Sequence, residues 1–110
     1  MEDFIQVFTT TEKKEDAERI ARALVEGRLA ACVQIAGPVT STFWWMGKVE
    51  TAEEWVCCIK SRKAIYGKIE KAIRGLHPYE TPEIIATPIT AGSRDFLEWV
   101  RSEVRQPLQA

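Results

Sequence analysis

One histidine, His77, and three cysteines, Cys32, Cys57 and Cys58, are all the nitrogen and sulfur metal ligands this 110-residue chain has. A lone imidazole cannot supply the several N or S ligands that fix a structural metal site. An odd thiol count with two adjacent residues is not a disulfide framework, and a chain of this length needs none. A reducing, cytoplasmic setting is therefore expected. Neither charge is in surplus, with 15 Lys and Arg against 16 Asp and Glu and a net charge of −1. Nucleic acid is excluded as the main partner, because phosphate binding needs a basic excess or patch. No apolar run approaches the roughly 20 residues of a membrane span. The acidic start Met1–Glu2–Asp3 runs straight into a strand pattern, so neither a signal peptide nor a membrane partner is expected. The nucleophile elbow, the P-loop, H-E-x-x-H and the dinucleotide fingerprint are all missing, which argues against an enzyme.

What is there fits one globular domain over residues 1–110. Hydrophobic residues make up 45% and charged residues 28%. A chain of this size buries about 60–70% of its unfolded surface. Phe4 to Thr10 reads as a buried strand. Ala17, Ile20, Ala21, Leu24 and Val25 then repeat on a helical period, with Thr11 as a cap and Gly27 as a stop. Leu29 to Ile35 is a second strand, which Gly37–Pro38 bends or bulges before it continues from Val39 to Trp45. Met46–Gly47–Lys48 makes a tight turn into a long strand over Val49 to Lys60. Ile65, Ile69, Ala72, Ile73 and Leu76 mark a helix over Lys63 to Leu76, capped by Ser61. Two prolines keep His77 to Glu83 out of that helix. Ile84 to Ile89 is a short strand that Pro88 places at an edge. Ser93 caps a last helix with Phe96, Leu97, Val100 and Val104 inward, and Pro107 follows it. The order is α+β, a ferredoxin-like βαββαβ sandwich with a long central hairpin and an extra C-terminal helix.

Phe43, Trp44 and Trp45 are consecutive in a strand, so they point to alternating faces, and Trp55 lies on the partner arm. One layer of helices covers one sheet face. The uncovered aromatics can be shielded by the terminal helix and Trp99, or by neighbouring copies of the chain; the length of the ribbon favours the copies.

Several groups carry potential chemistry. His77 sits in a rigid loop near Glu80 and Glu83, where it can join a metal site or cap the carbonyls ending the second helix. Cys32 is a small buried apolar residue or a soft ligand facing a cleft. Cys57 and Cys58 point to opposite faces and do not chelate one ion outside a bulge. Lys60, Arg62 and Arg28 can bind an anion or stay solvated.

Five stretches together resemble the CutA divalent-cation tolerance proteins: Leu29–Ala30–Ala31–Cys32–Val33; Trp44–Trp45–Met46–Gly47–Lys48–Val49–Glu50; Ile59–Lys60–Ser61; His77–Pro78–Tyr79–Glu80–Thr81–Pro82–Glu83–Ile84; and Phe96–Leu97–Glu98–Trp99–Val100. The H-P-Y-E-x-P-E and W-x-G-K runs are the most specific parts, and the match spans nearly the whole chain. The resemblance implies a homotrimer of ferredoxin-like subunits, similar in architecture to the PII signalling proteins. It implies tolerance of divalent metals, copper especially, with no obligatory cofactor. It places a weakly held divalent cation, copper or zinc, at His77 and Glu80. It also implies an intersubunit cleft lined by Cys32, Trp45, Lys60, Tyr79 and Glu83. Thr9 and Leu76 stand where some bacterial members carry a cysteine and a second histidine, so a copper site built from those ligands is largely lost. A PII-like sensor taking an anionic ligand through Lys60 and Arg28 is the alternative. An acylphosphatase-type enzyme lacks its phosphate-cradling loop at Thr9 to Glu12.

Overall fold

The computed structural model describes residues 2–105. The elements are β1 (Phe4–Thr11), α1 (Lys14–Glu26), β2 (Cys32–Trp45), β3 (Lys48–Arg62), α2 (Tyr66–Leu76), β4 (Ile85–Ile89) and α3 (Arg94–Glu103). They build an α+β ferredoxin-like fold around a four-stranded antiparallel sheet of order β2-β3-β1-β4.

The alternation in β1 and β3 sorts the two sheet faces. Ile5 and Val7 of β1 and Cys57 and Ile59 of β3 face the helices and are buried. They meet Ala17, Ile20 and Leu24 of α1 and Ile69 and Ile73 of α2 in one core. Each fully buried isoleucine contributes about 1.5–3 kcal/mol. The opposite face carries Gln6, Phe8 and Thr10 of β1, paired with Lys60, Cys58 and Val56 of β3. One end of that face is covered by α3. Arg62 is buried there and donates through Nη1 to the carbonyls of Val104 and Arg105, at 3.5 and 3.2 Å.

Several local expectations change. Thr11 does not cap α1; it is the buried last residue of β1, and its hydroxyl donates to the Lys13 carbonyl at 2.8 Å. Ser61 does not cap α2; it is a buried β3 residue whose Oγ donates to the Leu29 carbonyl at 2.7 Å. Strand β3 runs on to Arg62, and a 3-10 turn over Lys63–Ile65 precedes α2. Strand β2 begins at Cys32, because Leu29 and Ala30 still donate to the Leu24 carbonyl closing α1. Ser93 does cap α3, accepting from the Phe96 amide at 3.4 Å. Phe96 itself is exposed and lies against Trp99 at 5.6 Å, while Val100 and Val104 are the buried pair. Pro107 lies outside the described residues.

The pairing of β1 with β3 ends at Thr11↔Trp55, yet the β2–β3 ladder continues from Val39↔Glu54 to Trp45↔Lys48. That stretch projects roughly 20 Å beyond the third strand, at about 3.4 Å per residue. Met46 and Gly47 close it with φ of 51° and 79°, the doubly left-handed turn that suits strand twist. A bulge lies between Ala36↔Val56 and Val39↔Glu54, where β2 spends three steps against two on β3. Gly37 takes φ 152° there, a conformation open to glycine.

Candidate functional site

The bulge inserts one residue, so the side-chain parity of β2 changes across it. Before it, Cys32 and Gln34 share the uncovered face with Lys60 and Cys58. After it, Ser41, Phe43 and Trp45 share that face with Ala52 and Glu50, and Trp44 turns to the other side with Val49. The uncovered face of the ribbon and the loop after α2 together enclose a groove of about 970 Å³. Its walls include Phe43 and Trp45 of β2, Glu50 and Glu54 of β3, Glu12 after β1, and Tyr79, Glu80 and Glu83 of the loop.

Glu54 anchors the groove. It is buried, and its Oε2 accepts from the Tyr79 hydroxyl at 2.8 Å. Burial and the Glu54 carboxylate push the Tyr79 phenol well above its usual range, so it stays a donor. The Tyr79 ring lies 4.7 Å from the ring of His77. The Tyr79 amide donates to His77 Nδ1 at 3.1 Å, so Nε2 carries the proton and donates to the Thr10 carbonyl at 2.7 Å. His77 thus pins the loop to the end of β1 with both ring nitrogens. Its backbone amide, not its side chain, satisfies the Ile73 carbonyl that ends α2. Around the groove, five carboxylates face no lysine, arginine or histidine in the lining. Lys14 stays outside, over the Trp55 ring at 5.2 Å.

A family model described as "CutA1 divalent ion tolerance protein" matches residues 5–103. The chain belongs to the CutA1 family. It is 41% identical over 98 residues to the divalent-cation tolerance protein CutA of Archaeoglobus fulgidus, covering 89% of this chain and 95% of that one. It is 36% identical over 102 residues to the chloroplastic CutA 1 protein of Oryza sativa, covering 93% of this chain but 58% of that longer protein. The crystal structure of CutA1 from Oryza sativa superposes with a TM-score of 0.92 at 36% identity, over 94% of this chain and 95% of that one. The name of the CutA1 family is that of a tolerance protein.

The residues singled out by resemblance to CutA fall into two groups in one chain. Trp45, Tyr79, Glu80 and Glu83 line the groove, and His77 stands behind Tyr79. Cys32 and Lys60 sit opposite each other elsewhere on the uncovered face. Lys60 is six residues along β3 from Glu54, about 20 Å at strand rise. The Lys60 ammonium donates to Gln34 Oε1 and to Cys58 Sγ, the latter at 3.4 Å, and the Cys58 thiol donates to Gln6 Oε1 at 3.1 Å. Burial raises the Cys32 thiol above its ordinary range, with Lys60 opposing the rise and Cys58 adding to it. Cys57 points to the core, donates to the Ala17 carbonyl at 3.7 Å, and is pushed up to about 11 by burial and by Cys58. Arg28 is ion-paired with Glu103 at 2.6 Å, so it does not join Lys60 in an anion site. Among the described residues, no three His, Cys, Asp or Glu side chains converge as a metal cage.

Sequence reading missed Glu12, Glu50 and Glu54. Glu54 is the informative omission, because it lies in the polar run Thr51–Ala52–Glu53–Glu54 and looks solvated. Its only sequence signal is parity: it is the β3 residue that shares a face with Val39 across the bulge.

Proposed function

We propose that the protein is a divalent-cation tolerance protein that binds rather than catalyses. It acts as a homotrimer and holds copper or zinc weakly at a cleft its copies share. The observation that carries this reading is the groove lined by five carboxylates and no base, beside His77. Carboxylates and imidazole suit such cations. Affinity is low for two reasons. No chelating cluster converges within one chain among the described residues, and His77 must leave the Thr10 carbonyl to ligate. Glu80 is the exposed carboxylate of the groove nearest His77 in the chain. A trimer is supported by the projecting ribbon, whose Trp44, Met46 and Val49 are 74%, 86% and 58% exposed. Packing copies around it brings the Cys32 and Lys60 pair of one copy toward the Trp45, Tyr79 and Glu83 wall of another. The three free thiols fit a reducing compartment, and we place the protein in the cytoplasm. No helix among the described residues is long and apolar enough to cross a membrane.

Calorimetric titration with copper and with zinc tests the site. His77→Ala and Glu80→Gln should each lower affinity severalfold, and unchanged isotherms in both would remove the cation from this place. An anion sensor has less support, because the groove has no cationic lining and Arg28 is held by Glu103.

A further inference from the structure

The helix-covered side of the sheet carries a separate depression of about 530 Å³ along α2, between Leu29 after α1 and Arg105 after α3. Lys68, Lys71, Ala72 and Gly75 fall at i, i+3, i+4 and i+7, one strip of the α2 surface, turned away from the buried Ile69 and Ile73. Leu29, Ala72 and Leu76 make a half-buried apolar floor, and Lys68, Lys71 and Arg105 stand exposed at its rim. Among the described residues the lining holds no carboxylate. The neighbouring acids are already paired, Glu70 with Arg74, Glu26 with Arg22 and Glu103 with Arg28. Among the described residues Lys68 and Lys71 make no ion pair, and the Leu76 carbonyl that ends α2 is met by Arg19 instead. Gly75 is an independent observation. It lies inside α2 without a left-handed φ, and a Cβ there would meet nothing within 4 Å. Neither backbone conformation nor packing within the chain calls for glycine, which is a poor helix former. Its bare Cα, beside Ala72, leaves a low stretch of helix surface that another backbone can approach closely.

We propose that this face of α2 docks an acidic amphipathic helix of a partner protein. The partner's aliphatic side chains seat on Leu29, Ala72 and Leu76, and its backbone crosses α2 at Gly75. Its Asp and Glu side chains meet Lys68, Lys71 and Arg105, which steers the approach and fixes the register. Charge selects this occupant, because a basic segment is repelled by three cations with no carboxylate among them. The face lies on the helix-covered side of the sheet, opposite the groove and the Cys32 and Lys60 pair, so the proposal does not require the cation reading.

The test is fluorescence anisotropy of a labelled, capped peptide of leucine and glutamate, with its leucines on one helical face, titrated with the whole chain in EDTA. Saturable binding that weakens severalfold as NaCl is raised is expected, and the same peptide with lysine for every glutamate should not bind. Lys68→Glu combined with Lys71→Glu reverses the rim and should weaken binding at least about tenfold. Gly75→Gln should raise the melting temperature, because glutamine is the better helix former, and yet weaken binding severalfold by filling the crossing point. A variant that gains stability while losing the peptide separates docking from folding. Absence of binding, unchanged affinity in either folded variant, or equal binding of the lysine peptide would each overturn the proposal. Binding that emerges only after residues 106–110 are deleted would overturn it by assigning the face to that segment. An assembly mass that falls in the Lys68→Glu, Lys71→Glu variant would overturn it by assigning the face to a second copy. Because EDTA is present, this test and the copper and zinc titrations fail separately.

Discussion

The Tyr79 hydroxyl donates to Glu54 Oε2 across 2.8 Å, joining the proline-bounded loop to β3 where the ribbon leaves the sheet. The bond links residues 25 positions apart and satisfies a buried carboxylate. Tyr79→Phe removes the donor and leaves the charge. It should cost about 1–3 kcal/mol in urea denaturation. Glu54→Gln should cost less, because an amide oxygen still accepts.

Stability should fall in alkali. Cys57 is fully buried, and its thiol is raised from 9.0 to about 11. The unfolded thiol ionises first, so stability present below pH 9 is lost as pH climbs toward 11. Two units correspond to a loss on the order of 3 kcal/mol. Tyr79 acts in the same direction above pH 10. Denaturation midpoints compared at pH 8 and pH 10 should drop for the parent chain and drop less for Cys57→Ala.

Gly37→Ala should be poorly tolerated. A Cβ there would stand 2.9 Å from Trp55 Cε3 and 3.0 Å from the Glu54 carbonyl oxygen, at a φ of 152°. Strain of this kind costs of order 1–3 kcal/mol. Thermal melting should report it, and Trp55 fluorescence should shift as the indole moves.

Trp44 and Val49 are Cα partners on the ribbon face that turns away from the groove. If copies of the chain cover that face, Trp44→Ser with Val49→Ser should lower the mass seen by light scattering at a given concentration. A parent chain that already scatters as 12.5 kDa particles would remove the shared cleft.

The order of elements was readable because α1 and α2 each carry a sustained apolar period, and β1 and β3 alternate around Ile5 and Val7 and around Cys57 and Ile59. The ends were less readable. Thr11 and Ser61 look like caps, yet each is the polar member of a buried strand face and finds a backbone carbonyl instead. The groove was half legible. Trp45, Tyr79, Glu80 and Glu83 come from distinctive runs, whereas Glu12, Glu50 and Glu54 are ordinary acids that only the tertiary fold gathers. Cys32 and Lys60 are distinctive too, but about 20 Å of strand separates them from the groove in one chain.

The extra residue between Ala36 and Val39 sets which indole the cavity receives. The ladder absorbs it as a bulge; were β2 to pair regularly through Gly37 and Pro38 instead, Thr42 and Trp44 would turn inward while Phe43 and Trp45 swung out. The aromatic wall is thus written in the spacing of the strand as much as in its composition.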